Sequence, residues 1–343
     1  TSVYCVVDGF FVSNFAGKTA FAAINLIMPF IMILGGIGFM IGTGGSALVS
    51  YTLGTGDKEK ANRYFSMMVY FTILAGILLT VLGIIFVRPM AELFGADESM
   101  MDTCVLYGRI VIAFNAAFML QNIFQSFFVV AEKPRLGLIV TIAAGVTNMV
   151  LDALFVGVFK WGIVGAALAT GISQSIGGLL PLLYFALPNN SPLQLTRTGF
   201  ELAPLLKASS NGCSELMSNV ASSLIGIVYN YQLMRLGGEN AVATYGVLMY
   251  IQFVFIAIFI GYSVGSAPII GYHYGAGNFK ELQNMRRKSL KIMSISGVLM
   301  AILGFTLAPV ISAIFVGYDA ELLSMTITAF RIFSFCFVLA GIN

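Results

Sequence analysis

Three acidic residues lie inside apolar stretches of the 343-residue sequence: Asp8, Asp152 and Glu215. An ionisable group in hydrocarbon costs about 2.5–3.5 kcal/mol on insertion scales, so it usually faces a water-filled cavity and binds an ion, a proton or a cationic group. Asp8 and Asp152 are therefore predicted to bind a coupling cation or proton. A structural role, or a place at the rim of a cavity, explains Glu215 as well as a binding role does.

Helix geometry places the two aspartates in one layer. Each lies eight or nine residues from the outer end of its segment, which is about 12–14 Å below the outer boundary. Thr170 descends to the same level, and Asn148 lies one turn deeper on the face of Asp152. Such oxygen ligands suit Na⁺, and no other metal is predicted; a proton held on a carboxyl group is the alternative. The simpler interpretation is that Asp152 and Asn148 only hydrogen-bond to neighbouring helices.

The elements that carry these residues are transmembrane helices. With 58% hydrophobic residues, 10% charged residues and a mean hydropathy of +0.92, the composition excludes a soluble globular protein. A β-barrel is excluded because its strands would alternate polar and apolar residues. Ten apolar segments are predicted, at about 1–16, 24–50, 64–87, 104–130, 136–158, 163–187, 206–234, 241–271, 289–310 and 322–343.

An internal repeat organises the segments. A shift of 221 residues superposes seven pairs: Gly17 on Gly238, Ala20 on Ala241, Gly44 on Gly265, Tyr51 on Tyr272, Gly54 on Gly275, Gly56 on Gly277 and Phe94 on Phe315. Six helices separate the copies, so both halves enter the membrane in the same sense and are related by an axis along the membrane normal.

The repeat predicts an all-α membrane protein of two six-helix bundles. The N-lobe would be 1–187 with an incomplete first helix, 188–205 would be a cytoplasmic linker that serves as a hinge, and the C-lobe would be 206–343. Twelve helices are expected in all, of which about ten are present and the last two are missing. The position that matches Asp8 in the second copy is Tyr229, followed by Asn230, so the carboxylate layer is not duplicated. Asn230 and Gln121 are candidates for the cavity or its rim.

The distribution of basic residues predicts the orientation. Alternate loops hold twelve and four Lys and Arg residues, and the richer set is expected to face the cytoplasm together with the N-terminus. The predicted interior contains acids and no evident bases, which favours cations over phosphates.

Other chemistry is not indicated. Four scattered cysteines and a single histidine argue against metal or redox cofactors, and nucleic-acid binding is excluded because no soluble basic domain exists. In and directly after the stretch GGIGFMIGTGGS, Gly42, Gly44 and Ala47 fit G-x-G-x-x-A. The stretch lies at membrane depth with no preceding strand, so close helix packing or a flexible bend is the favoured interpretation. No ATP-binding motif or enzymatic site is predicted.

Several sequence stretches together resemble the multidrug and toxic compound extrusion (MATE) family, and its bacterial DinF-like branch in particular. The stretches are VDGFFVSNFAG, GTGGSALVSYTLGTGDKEKAN, TNMVLDALFVGVFKWGIVGAALAT, MRLGGENAVATYGV and SVGSAPIIGYHYGAGN. The resemblance covers nearly the whole chain. The segment 322–343 departs from it, because it carries no acidic residue where some branches of the family have one.

The resemblance implies an antiporter with two lobes around a central cavity, which exports organic cations or other xenobiotics in exchange for Na⁺ or H⁺. It also implies a monomer in the bacterial cytoplasmic membrane. Asp8, Asn148, Asp152, Thr170 and Tyr107 match polar positions of the family's N-lobe cation site. The depth argument independently selects the first four, but it places Tyr107 near the outer surface.

Two function classes remain open. Cation-coupled export is favoured, and a flippase for a lipid-linked sugar is the alternative, although its pyrophosphate would require buried basic residues that the sequence lacks. A receptor or structural protein is disfavoured because neither needs a parallel repeat or intramembrane carboxylates. A channel is disfavoured because the sequence shows no repeated pore loop.

Overall fold

The described residues are almost entirely helical. The computed structural model describes residues 11–12, 18–96, 98–317 and 320–342. Those residues form ten α-helices and contain no strand. The helices are α1 (Lys18–Gly54), α2 (Lys58–Leu93), α3 (Glu98–Ala113), α4 (Asn115–Val130), α5 (Pro134–Asp152), α6 (Gly162–Ala186), α7 (Leu202–Gly275), α8 (Phe279–Val316), α9 (Ala320–Ser334) and α10 (Cys336–Ile342). Seven stretches are long and apolar enough to cross a membrane, or eight if one bent pair is a single span. The predicted all-α membrane class is confirmed.

The predicted segment 104–130 is not one straight helix. Two helical stretches, Met100–Ala113 and Asn115–Val130, meet at an angle of 53° around Phe114. The backbone of Gly171 on α6 lies directly against the Phe114 ring, so the bend accommodates a close contact with α6. Apolar composition is uniform across the bend, which is why hydropathy alone predicts a single span.

Helix α7 folds back on itself. A straight helix of its 74 residues would be about 111 Å long, far more than the bilayer's roughly 30 Å. The rings of Tyr229 and Tyr245 stack at 5.6 Å although about 24 Å of straight helix would separate them. The chain therefore reverses between these tyrosines, as the two predicted segments 206–234 and 241–271 require.

The internal repeat is visible in matching local structure. The side chain of Asp57 caps α2 by accepting a hydrogen bond from the Lys60 amide at 3.0 Å. Asn278, which is 221 residues further on, caps α8 in the same way. Gly56 and Gly277 precede the two caps with φ of 89° and 69°, a left-handed conformation that glycine adopts without strain. The 221-residue shift therefore relates the local structures of the two copies as well as their sequences.

The chain forms two compact units. The first comprises the described residues up to Val220 together with Ala267–Gly277, and the second comprises Ala221–Ser266 together with the described residues from Asn278 onward. Two apolar clusters fill the first unit, one around Phe65, Phe124 and Phe185 and one around Tyr107. A third cluster, around Phe330 and Phe337, fills the second unit.

The glycine-rich stretch of α1 is a helix-packing surface, as predicted. A Cβ added to Gly38 would lie 2.7 Å from the Met119 Cα on α4, and one added to Gly42 would lie 3.0 Å from the Ile123 Cα. Helices approach this closely only where side chains are missing. The stretch is continuous helix and does not form a phosphate-binding loop.

The predicted linker is an extended strap bound to α2. The side chain of Asn62 donates to the Pro192 carbonyl at 3.4 Å and accepts from the Gln194 amide at 2.8 Å. The Thr196 amide donates to the Ser66 hydroxyl at 2.8 Å, and Leu193 is completely buried. These contacts tie the segment to the first turns of α2 over several residues.

We expect Asn62→Ala to destabilise the full-length protein in detergent by about 1–2 kcal/mol, because it removes both hydrogen bonds to the strap. Thermal unfolding followed by size-exclusion chromatography would measure the change. Asn284→Ala is the matched control, since the Asn284 side chain donates to Glu281 within the same helix, α8. Equal melting temperatures for the two variants would contradict a stabilising strap.

Candidate functional site

Asp152 and Asn148 lie together at the end of α5. Both are completely buried, and their spacing of four residues places them on one face of the helix. Neither polar atom of the Asn148 amide has a hydrogen-bond partner among the described residues. A buried amide without partners is costly, so a bound water or ion is the usual explanation for one in a native protein.

A π-helix follows Asp152 directly. It covers Ala153–Val158 and is closed by a short connection in which Lys160 has a φ of 56°. The Phe155 ring stacks on Trp161 at 4.9 Å, and a Cβ on Gly165 would lie 3.0 Å from the Phe155 Cβ. π-Turns inside helices are rare and occur frequently at functional sites. Phe155 therefore holds the π-helix against the start of α6, three residues after Asp152.

Thr170 lies near the level of both α5 residues. The contact of Phe155 with Gly165 sets the register of the antiparallel helices α5 and α6. Counting inward from that contact puts Thr170 about 3 Å in height from both Asp152 and Asn148. Its side chain is half-buried, and its carbonyl accepts from the Ser173 hydroxyl at 2.8 Å. The predicted binding layer of these three residues stays a prediction.

Tyr107 lies on α3, and its predicted depth near the outer surface stays a prediction. Helix α3 begins at Glu98, six residues before the predicted start of the segment, so Tyr107 lies well inside it. The side chain is completely buried in the same cluster as Val156 and Ala166. The cluster therefore contains both Tyr107 and Val156, which follows Asp152 by four residues. The polar sequence ESMMD hides the first turns of the helix from a hydropathy reading.

The remaining predicted site residues differ in their position and in how much of them the structure describes. Asp8 lies outside the described residues, although nearby Val12 is buried in the Tyr107 cluster. Glu215 is exposed on α7, and its carbonyl accepts from the Asn219 amide at 2.8 Å. Asn230 lies on α7, but its side chain is outside what the structure describes. Glu215 is therefore not a member of the buried site.

Gln121 is buried between α4 and α6. A Cβ on Gly177 would lie 2.7 Å from its Cδ, and the Oε1 of Gln121 has no hydrogen-bond partner among the described residues. Sequence reasoning missed Gln174 and Asn115, which are also buried with an unpaired amide oxygen within the described part of the chain. An amide side chain inside an apolar run is the sequence signal that identifies both residues.

The site offers oxygen ligands within a negatively biased interior. Among residues whose burial the structure describes, Asp152 is the only buried carboxylate and no Lys or Arg is buried. Within the same residues no group of three or more His, Cys, Asp or Glu could hold a metal ion. Carboxylate, amide and hydroxyl oxygens suit an alkali cation or a proton better than a transition metal.

The sequence of the chain is similar to those of known proteins. A family model described as MatE matches residues 1–154 and 216–343. The multidrug export protein MepA of Staphylococcus saprophyticus is 25% identical over 348 residues, which cover 99% of this chain and 76% of that protein. MepA of Staphylococcus haemolyticus is 24% identical over 296 residues, or 86% of this chain and 64% of that protein. With a Staphylococcus aureus MepA the covered share of the relative is 60%, so the chain spans about three fifths to three quarters of these relatives.

Solved structures share the fold. A crystal structure of MATE in complex with MaL6 superposes with a TM-score of 0.93 at 21% identity, over 99% of this chain and 76% of that chain. An outward-facing multidrug resistance MATE transporter of the MOP superfamily gives 0.91 at 21% identity, over 99% and 78%. A MOP superfamily transporter from Pyrococcus furiosus gives 0.90 at 20% identity, with the same coverage.

Proposed function

The chain belongs to the MatE family, and we propose that the full-length protein is a secondary active multidrug efflux antiporter that exports organic cations in exchange for Na⁺ or H⁺. Because the relatives are named export proteins and the structural neighbours are transporters, the chain is a membrane transport protein and not an enzyme. The finer DinF-like assignment remains a prediction.

The observation that carries the proposal is the completely buried pair Asp152 and Asn148, directly before the π-helix. A carboxylate in this position is costly unless a cation or proton accompanies it. In the proposed site the Asp152 carboxylate supplies the negative charge, and the Asn148 amide oxygen supplies a neutral ligand. The Thr170 hydroxyl lies at the right height to complete the coordination. Asp8, three residues before Phe11, is proposed as the second carboxylate.

Coupling requires only that the cation and the drug favour different conformations. A ligand shifts a two-state equilibrium by its difference in affinity for the two states and by nothing else. Na⁺ or H⁺ that binds the aspartates from outside would favour a state in which the drug is released. Binding of the drug from the cytoplasm would reverse the change, because linkage between the two ligands is reciprocal.

The charge of the interior supports organic cations as substrates. Among the residues whose burial is described, a carboxylate is buried and no Lys or Arg is, and such an interior attracts cations and repels the pyrophosphate of a lipid-linked sugar. The relatives are named multidrug export proteins, which also favours drug export over the flippase alternative.

The chain lies in the lipid bilayer, as its spans show. The bacterial relatives support the cytoplasmic membrane as its location. From the Lys and Arg distribution we propose that the N-terminus and the α1–α2 and α7–α8 loops face the cytoplasm. We also propose that the protein acts as a monomer.

The test is ethidium efflux from a pump-deficient bacterium that expresses the full-length protein. We expect intracellular ethidium to fall several-fold relative to cells with an empty vector, and Asp8→Asn to abolish the fall at equal membrane expression. Proteoliposomes with an imposed Na⁺ or H⁺ gradient then identify the coupling ion. If the wild-type protein does not lower ethidium at all, multidrug export is ruled out.

A further inference from the structure

A cluster of basic residues lies where α8 enters its apolar span. Its members are Arg286, Arg287, Lys288 and Lys291. All four side chains are exposed, and none of them forms an ion pair with another described residue. The acidic residue that precedes them most closely, Glu281, accepts hydrogen bonds from the Asn284 side chain. The stretch 292–316, which follows the cluster, contains no charged residue and is long enough to cross the bilayer core. The cluster therefore lies at the membrane boundary.

Three of these residues share one side of α8. Because successive residues of a helix lie about 100° apart around its axis, Arg287 and Lys291 are separated by about 40°, and Lys288 lies about 60° further round. On the opposite side of α8, the Ser289 and Tyr262 hydroxyls form a hydrogen bond at 2.8 Å that packs α8 against α7. Arg287, Lys288 and Lys291, which we call the basic face, therefore point away from this contact with α7.

An exposed apolar stripe continues from the basic face into the span. Its residues follow Lys291 at successive spacings of four, three and four, which keeps them on the same side of the helix. They are Ile295, Val298 and Ile302, and their exposed fractions are 61%, 47% and 55%. A phospholipid presents the complementary order of chemistry, with a phosphate at the membrane boundary and acyl chains below it.

The first copy of the repeat has the same apolar stripe and a different boundary. The 221-residue shift matches the stripe of α8 to Leu74, Ile77 and Val81 of α2, whose exposed fractions are 70%, 53% and 52%. The same shift matches the basic face to Ser66, Met67 and Tyr70. The two copies therefore share a lipid-facing surface, and only the second copy carries positive charge above it.

In the first copy the strap 188–205 covers this boundary. The Ser66 hydroxyl accepts a hydrogen bond from the Thr196 amide at 2.8 Å, and the Tyr70 hydroxyl donates to the Thr196 carbonyl at 3.3 Å. The Met67 sulfur accepts from the Glu201 amide at 3.3 Å. Arg and Lys side chains have no acceptor atoms, so the basic face cannot hold backbone N–H groups in this way. The partner that fits it is rich in acceptors and negatively charged.

We propose that the basic face and the apolar stripe of α8 together bind an anionic phospholipid. The lipid phosphate accepts hydrogen bonds from Arg287, Lys288 and Lys291, and an acyl chain lies along Ile295 and its neighbours in the stripe. Clusters of Lys and Arg next to a membrane span attract anionic lipids, and the attraction falls off within a short distance of the surface. The site belongs to the second copy alone, because the strap occupies the equivalent position in the first.

Photolabelling can compare the two stripes within one molecule. The full-length protein is reconstituted into phosphatidylcholine vesicles that contain a trace of phosphatidylglycerol with a photoactivatable acyl chain. A parallel sample contains the same trace of photoactivatable phosphatidylcholine, and mass spectrometry measures the labelling of the equivalent stretches 292–303 and 71–82. We expect the ratio of phosphatidylglycerol to phosphatidylcholine labelling to be at least fivefold higher at 292–303 than at 71–82.

Removal of the charges should abolish the difference. In the triple variant Arg287→Gln, Lys288→Gln and Lys291→Gln, we expect the labelling ratio at 292–303 to fall to that at 71–82. A ratio that survives these substitutions would overturn the proposal, because the preference for the anionic lipid would not come from the basic face.

The matched control removes three exposed charges from the first turns of α2, by Lys58→Gln, Lys60→Gln and Arg63→Gln. It should leave the labelling ratio at 292–303 unchanged, whereas a fall as large as in the first triple variant would show that only the total charge matters and would overturn the site. Excess inorganic phosphate in the buffer should also leave the ratio unchanged, because a free phosphate has no acyl chain to contact the stripe. Loss of the ratio in phosphate would show that the basic face binds a soluble anion and not a lipid.

Equal ratios at the two stretches of the wild-type protein would overturn the proposal most directly. The basic face would then be solvated or covered by another part of the full-length protein. No step of the measurement uses drug export, so failure of the proposed function would leave this result unaffected.

Discussion

We expect Asp152→Asn in the full-length protein to reduce cation-driven ethidium export at least tenfold without lowering the amount of protein in the membrane. The substitution keeps the shape of the side chain and removes the charge that holds the cation or carries the proton. Because Asp152 is completely buried, no solvent-exposed group can take its place. Export by proteoliposomes under an imposed Na⁺ or H⁺ gradient would measure the loss.

The matched control is Asp102→Asn, which removes an exposed carboxylate near the start of α3. It should leave export within about twofold of the wild-type rate, because an exposed charge contributes little to a buried ion site. Retention of full gradient-driven export by Asp152→Asn would show that this carboxylate is not the coupling site. Asp152 would then serve only to hydrogen-bond to neighbouring helices.

The second large effect is on stability. We expect Gly38→Ala to lower the free energy of unfolding by about 2–3 kcal/mol, because the added Cβ would lie 2.7 Å from the Met119 Cα and 2.8 Å from its carbonyl oxygen. Backbone atoms cannot move aside as the tip of a flexible side chain can. Helices α1 and α4 must therefore separate along their contact. Thermal unfolding in detergent, followed by size-exclusion chromatography, would measure the change.

Gly246→Ala is the control for this prediction. Its added Cβ meets no described heavy atom within 4 Å, and alanine favours helix over glycine by up to about 1 kcal/mol. The control should therefore keep or raise the melting temperature while Gly38→Ala lowers it. A fall of equal size in both variants would show that the α1–α4 contact is not responsible.

The sequence alone predicted the parts of this protein that depend on composition and order. Apolar runs of sufficient length predict membrane helices in any context, because backbone hydrogen bonds must be satisfied within each span. The 221-residue repeat is also visible in the sequence, and the matched helix caps at Asp57 and Asn278 confirm it. The layer of Asp152, Asn148 and Thr170 followed from counting residues along helices, which needs no knowledge of how the helices pack.

Other features were invisible until the helices were packed. The polar sequence ESMMD hides the first turns of α3, and only the structure shows that Tyr107 is completely buried in the cluster that includes Val156. The π-helix after Asp152 and the bend at Phe114 have no signature in an apolar run. The linker 188–205 has the composition of a free hinge, yet Asn62 and Ser66 bind it to α2.

Sequence therefore determined which stretches are long and apolar enough to enter the membrane, and tertiary structure decided which neighbour each face meets. The physical reason is the solvent. In water a helix shows its buried face as an apolar stripe, but in lipid the buried and the exposed faces are both apolar, so hydrophobicity does not distinguish them. The contact of the Ser50 hydroxyl on α1 with the backbone of Gly271 on α7 is a case of this kind. Both residues are plain in the sequence, and only the packed helices bring them together.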